Sequence, residues 1–121
     1  MAFALARRRT RLVLVARSVT ELEQVAEECG RLGAAVEIVV GDLVDPAVRE
    51  AACKIAVDRW GGLDLVVNNV GVSAHGAFVD SDEATFRRVM EVNLFAPVEL
   101  TRLALRHMER GGAVVNVCSI L

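Results

Sequence analysis

A guanidinium, a carboxylate, a pair of amides and a hydroxyl stand where short aliphatic runs of this sequence give out: Arg17, Asp42, the turn Asn68–Gly71 and Ser119. Each type can work on a ligand. Arginine can fork onto a phosphate, an aspartate accepts from N–H donors, and asparagine amides and serine hydroxyls both donate and accept. A glycine at 71 lets backbone approach closely whatever lies beside it. His75 and His107 are of the type that titrates near neutrality, but nothing in sequence pairs with either. His75 reads as a loop histidine and His107 as a residue of a helix's last turn, where a partial positive charge favours stability alone. Cys29, Cys53 and Cys118 are odd in number, widely spaced and never Cys-x-x-Cys, so neither a disulfide framework nor a metal site is expected. A reducing cytoplasm fits that usage, with Cys118 as a small inert hydrophobe at the end of a buried strand. The chain has no tyrosine, and Lys54 is its one lysine, so chemistry needing a phenol, or a lysine elsewhere, cannot come from these residues.

Those groups need elements to carry them. Short β-branched runs alternate with longer segments of helical period, the pattern of a parallel sheet flanked by helices. Arg11–Ala16 reads as a strand covered on both faces, since its aliphatic run is nearly continuous. Ser18 opens a helix with capping-box spacing to Glu21, and Gly30 and Gly33 stop it. Ala35–Val40 follows as a strand, Asp45-Pro46 starts a second helix that ends at Gly61-Gly62, and Leu63–Asn68 is the third strand. From Ser81 or Asp82 to about Arg110 the period is helical, with Asn93 and Pro97 marking a kink between two pieces. Gly111-Gly112 ends it, Ala113–Cys118 is the fourth strand, and Ser119 stands just past its carboxyl end. In an open α/β sheet ligands bind outside the carboxyl ends of the strands, and all four groups fall there.

Composition bounds the partners. The 121 residues are 54% hydrophobic and 25% charged, with 14 basic and 16 acidic side chains and a formal net charge of −2. One folded domain with a core is expected, and disorder is not. Near-neutral charge offers no general attraction to nucleic acid or to an anionic membrane, and the run Arg7, Arg8, Arg9, Arg11 suits the carboxyl end of a helix. No apolar run approaches the roughly 20 residues that span a bilayer. Ala2–Ala6 followed by arginines reverses the order of a signal peptide.

Taken in order, Leu12–Val15 with Ala16-Arg17-Ser18, Gly41-Asp42-Leu43-x-Asp45, Asn68-Asn69-Val70-Gly71, Asn93-Leu94 and Asn116-Val117-Cys118-Ser119 resemble the short-chain dehydrogenase/reductase family. The resemblance runs over essentially the whole chain. It implies a doubly wound, Rossmann-like parallel sheet of about four strands and four to five helices, with 1–121 as a single partial NAD(P)-binding domain. It implies an oxidoreductase that moves hydride between nicotinamide and a small-molecule carbonyl or secondary alcohol. Arg17 resembles the residue that meets the adenosine 2′-phosphate, with Ala16 where NAD-preferring relatives tend to carry an acid, so NADP is implied ahead of NAD. Asp42 resembles the acid that accepts from the adenine amine, with Leu43 packing beside the ring. Asn69, Val70 and Gly71 resemble the cofactor-side turn. Ser119 resembles the catalytic serine, and Asn93 the asparagine that supports a proton relay through water. By residue type alone, Arg17 is also a solvated arginine at a helix start and Asp42 a turn aspartate.

The family's Gly-rich loop and first strand would precede Ala2, and its catalytic tyrosine and lysine would follow Leu121. The expectation is therefore an internal fragment, inactive alone, truncated at both ends. In strand order 3-2-1-4-5 the absent strand lies between the Leu12 and Leu63 strands, which must then face each other across a gap or close up and pair. Arg9-Thr10 stands where many relatives close the first helix with glycine, so a left-handed cap there costs roughly 1 kcal/mol more. Two other readings stay open. One is a degenerate, non-catalytic module that forms a homo-oligomer through the Pro97–Arg110 helix. The other is a different cofactor-binding α/β protein, such as a methyltransferase-like domain.

Overall fold

Three helices begin on side chains that can satisfy the orphan N–H groups of a first turn. The computed structural model describes residues 1–119, and in it Ser18 Oγ accepts from Glu21 N at 3.4 Å to start α2 (Val19–Arg31). Asp45 Oδ1 accepts from Ala47 N at 2.9 Å to start α3 (Pro46–Trp60), where Pro46 needs no donor of its own. Asp82 Oδ1 accepts from Thr85 N at 2.6 Å to start α4 (Glu83–Met90). α1 is the short Ala2–Ala6 helix, and Thr10 Oγ1 donates to Leu5 O at 2.9 Å behind it. Arg9 takes the left-handed conformation, with φ of 55°, at the place where sequence pointed to a strained cap.

α4 runs through a π-helical turn, Glu91–Phe95, into α5 (Ala96–Leu105). The expected kink near Asn93 is this turn, and Pro97 sits in the first turn of α5. The helix stops at Leu105 rather than near Arg110. There the bonding tightens to i−3, with Arg106 N on Leu103 O and His107 N on Ala104 O, and the chain turns in to bury Met108. His107 therefore lies in a turn, where its carbonyl accepts from Leu63 N at 3.1 Å.

The strands are β1 (Arg11–Ala16), β2 (Ala35–Val40), β3 (Leu65–Asn68) and β4 (Ala113–Asn116). β1 pairs parallel with β2, from Arg11 opposite Ala35 to Ala16 opposite Val40. β3 pairs parallel with β4, from Leu65 opposite Ala113 to Asn68 opposite Asn116. These are the outer pairs of the expected order, and among the described residues they form two separate two-stranded sheets. Strands flanked by helices and paired in parallel give the Rossmann-like α/β class expected from sequence.

Three details differ from the sequence reading. β3 begins at Leu65, not Leu63, because Leu63 N is bonded to the turn after α5. β4 ends at Asn116, so Cys118 is exposed beyond the strand instead of closing a buried one. β4 is also exposed along its length: α5 packs on β3, whereas the main neighbour of β4 among the described residues is β3 itself.

α3 joins the halves, packing on β1 and β2 and also on α5. The core cluster lies at that junction: Cys53 of α3, Val66 of β3, Ala104 of α5 and Met108, with Leu63, Leu100 and Leu103 packed around it. Burial raises the Cys53 thiol above its ordinary pKa. Gly112 lets β4 begin beside β3, since a Cβ there would stand 2.6 Å from Asp64 O and against the Met108 methyl. Among the described residues no helix is long and apolar enough to cross a membrane.

Candidate functional site

Parallel pairing brings every strand's carboxyl end to the same edge of its sheet, and the sequence-selected residues gather there in two groups. The first is built on β1 and β2. Arg17 follows β1 directly, is exposed, and forms no hydrogen bond or ion pair among the described residues. Asp42 follows β2 by one residue, past Gly41, whose position leaves no room for a Cβ against Val48 of α3. The turn carrying Asp42 is therefore pressed close to α3. Arg49 of α3 tightens it further, its Nη1 donating to Leu43 O at 2.5 Å and to Val44 O at 2.8 Å.

The Asp42 carboxylate is itself anchored twice. Oδ1 accepts from Val44 N at 3.0 Å, and Oδ2 accepts from Arg88 Nη2 of α4 at 2.6 Å. The Arg88 hydrogen bond first, then the Val44 N–H, hold this carboxyl below the ordinary carboxylate range, and the charges of Arg88 and Arg17 add to that. A carboxylate has about four lone-pair sites, so two remain for other donors. Arg88 was not selected from sequence. In the doublet Arg87-Arg88 the first arginine pairs with Glu83 one turn back and the second reaches across the fold, a difference that only the structure reveals.

The second group surrounds the end of β3. Asn68 is only 6% exposed, and its Nδ2 donates to Asn116 Oδ1 on β4 at 2.8 Å and to Thr101 Oγ1 on α5 at 3.1 Å. One amide thus ties two strands and a helix together. Its Oδ1 is buried with no partner among the described residues. Asn69 and Gly71 are exposed and Val70 is half-buried in the turn that follows.

Asn93 lies in the π-helical turn and grips the next residue of that loop by its backbone. Its Oδ1 accepts from Val72 N and its Nδ2 donates to Val72 O, both at 2.8 Å. A Cβ on Gly71 would meet Asn93 Oδ1 at 3.7 Å, an ordinary contact. The structure therefore brings Gly71 and Asn93 together and places Arg17 within electrostatic reach of Asp42. Ser119 is exposed three residues beyond β4, as Gly71 is three beyond β3. His75 is engaged locally, its Nε2 lying 3.2 Å from Ser73 Oγ.

A family model described as short chain dehydrogenase matches residues 1–121. Dehydrogenase/reductase SDR family member 7 of Homo sapiens is 35% identical over 127 residues, covering 100% of this chain and 38% of that protein. Hydroxysteroid 11-beta-dehydrogenase 1-like protein of Bos taurus is 37% identical, covering 100% of this chain and 43% of the relative. L-Sorbose reductase from Gluconobacter frateurii, solved with NADPH and L-sorbose, superimposes with a TM-score of 0.90 at 28% identity, over 98% of this chain and 47% of that one. An alcohol dehydrogenase from the archaeon Thermococcus sibiricus, complexed with 5-hydroxy-NADP, gives 0.88 at 32% identity over 95% and 50%. The chain thus spans half or less of the length of these relatives.

Proposed function

This chain belongs to the short-chain dehydrogenase family, and from that premise we propose that it carries the adenosine end and part of the catalytic edge of an NADP-dependent oxidoreductase. The observation that carries the reading is Arg17, an exposed guanidinium with no ion-pair partner among the described residues, beside the prearranged carboxylate of Asp42. A guanidinium there attracts a phosphate, and Ala16 offers no carboxylate to repel one. Two relatives solved with NADPH or an NADP derivative support it.

The residues present fit such a cofactor at that end. Arg17 would hold the 2′-phosphate, Asp42 would accept from the adenine amine, and Leu43 would pack beside the ring. Asn69, Val70 and Gly71 would line the nicotinamide side, where Gly71 has room beside Asn93. The bound cofactor supplies hydride exchange with a carbonyl or secondary alcohol. Ser119 would hydrogen-bond the substrate oxygen, and Asn93 would fix the loop that faces it. The tyrosine and lysine that the resemblance implies for the proton step are not among these residues. We take 1–121 as one partial binding unit, and the three free thiols as fitting a cytoplasmic protein.

The test is a comparison of adenosine 2′,5′-bisphosphate with ADP, titrated into the chain and followed by amide chemical shifts. The 2′-phosphorylated probe should bind more tightly and shift Arg17 and Asp42, and Arg17→Asp should abolish the difference. Equal binding of both probes to the unaltered chain would sink the NADP assignment.

A second reading has its own observation. Leu94, Phe95, Val98 and Leu105 are large apolar side chains left exposed along the π-helical turn and α5. They support a homo-oligomer through the helix that sequence drew as Pro97–Arg110. Sedimentation should then show concentration-dependent dimers without cofactor, and a strictly monomeric chain would remove this reading.

A further inference from the structure

Arg88 and Asp42 are 46 residues apart in sequence, and their ion pair links α4 to the end of β2. As a stabilising device it is poor. The side chains are 44% and 33% exposed, and exposed pairs contribute little because water screens them and both side chains lose freedom. Its geometry does something else. Arg88 takes one oxygen of Asp42 while the Val44 N–H takes the other, so the carboxylate is held from two directions and both its torsions are fixed.

The neighbouring arginine shows that this is not a general property of the helix face. Arg87 pairs with Glu83 on its own helix at 2.6 Å, both 75% exposed, and has no other side-chain partner among the described residues. Arg88 is the member of the doublet turned toward the sheet edge. Of the positive groups that act on Asp42, Arg17 contributes charge without a hydrogen bond, and Arg88 contributes both. This division leaves the Arg17 guanidinium without an ion-pair partner among the described residues while Arg88 steadies the Asp42 carboxylate.

We infer that Arg88 is a positioning residue that presets the Asp42 carboxylate to accept from the 6-amino group of an adenine ring, and so discriminates adenine from 6-oxo purines. The inference rests on the nucleotide reading above and extends it to a residue on α4. A 6-oxo purine presents a carbonyl acceptor where adenine presents a donor, and a fixed carboxylate repels it. A loosened carboxylate would turn away or recruit water, and the discrimination would fall.

Two measurements on Arg88→Gln and Arg88→Lys test this. In the first, the Asp42 carboxyl is titrated by carbon-detected NMR. It should rise toward the ordinary value in Arg88→Gln and stay partly lowered in Arg88→Lys, which keeps the charge. In the second, adenosine and inosine 2′,5′-bisphosphates are compared on each chain. Arg88→Gln should weaken adenosine binding roughly two- to tenfold, the range of one net hydrogen bond, without weakening inosine binding. Equal loss for both probes, or an Asp42 titration unmoved by Arg88→Gln, would overturn the positioning role. Failure of both probes to bind the unaltered chain, with Asp42 still released by Arg88→Gln, would overturn the nucleotide reading and leave the hold of Arg88 on Asp42 standing.

Discussion

Replacing Asn93 by alanine removes two hydrogen bonds at once, both to the backbone of Val72 and both 2.8 Å long. A net protein hydrogen bond contributes about 0.5–1.5 kcal/mol, and at an exposed side chain water takes part of the loss. The pair together should therefore stabilise the loop by about 1–2 kcal/mol. The effect is local: Asn93 holds Val72 against the π-helical turn, away from the core cluster around Cys53 and Met108. Native-state hydrogen exchange is the matching assay. The Val72 amide should exchange roughly 5- to 30-fold faster in Asn93→Ala, while β1 and β2 amides keep their rates. Asn93→Asp sharpens the test, because an aspartate still accepts from Val72 N but sets a second oxygen against Val72 O. Its Val72 amide should stay protected better than in the alanine variant, and less well than in the unaltered chain. A Val72 amide that exchanges at the same rate in all three chains would refute the claim that Asn93 fixes this loop.

Two glycines at opposite ends of the β3–β4 sheet, Gly112 before β4 and Gly71 after β3, should behave differently. Gly112→Ala forces a Cβ to within 2.6 Å of Asp64 O, where ordinary contact begins near 3.4 Å, so β4 must move off β3. A loss of about 1–3 kcal/mol is expected from the urea midpoint. Gly71→Ala meets only an ordinary contact at 3.7 Å, and Gly71 is not among the residues with positive φ, so its stability should change by less than about 0.5 kcal/mol. Equal losses for the two would contradict the packing described. Alkylation of the native chain followed by mass mapping should label exposed Cys118 first. Cys29 and Cys53 should resist until unfolding, since burial hides both thiols and raises their pKa. Labelling of all three at one rate would show that the core is not formed.

Much of the fold was legible because local chemistry and tertiary structure agree. β1 and β2 were readable to the residue, since their apolar runs end at Arg17 and Gly41. Ser18 and Asp45 cap the helices they were expected to cap. The misreadings sit where long-range packing overrides the local pattern. Nothing local to Leu63 reveals that its N–H is claimed by His107, and nothing local to Arg106 shows that the chain must turn to bury Met108. For the site, the residue types at strand ends were enough to select Arg17, Asp42 and Gly71, whereas Asn93, in the π-helical turn, was selected through the family resemblance. Arg88 was invisible because its partner lies 46 residues away, and side-chain reach across a fold leaves no periodic trace.

The π-helical turn has a consequence for how this segment can vary. A single wide turn holds one residue more than an α-helical turn, and each residue in a helix advances the side-chain direction by about 100°. The face that α5 presents is therefore out of phase with the stripe that α4 would extend if the helix ran on unbroken. Deleting one residue within Glu91–Phe95 would restore an uninterrupted α-helix and lengthen its ladder of regular bonds. The same deletion would rotate everything beyond it, carrying Ala104 and Thr101 away from β3 or Asn93 away from Val72, because one rigid rod cannot satisfy both. Substitutions in this stretch change a contact, whereas a one-residue change in length changes the phase of the helix.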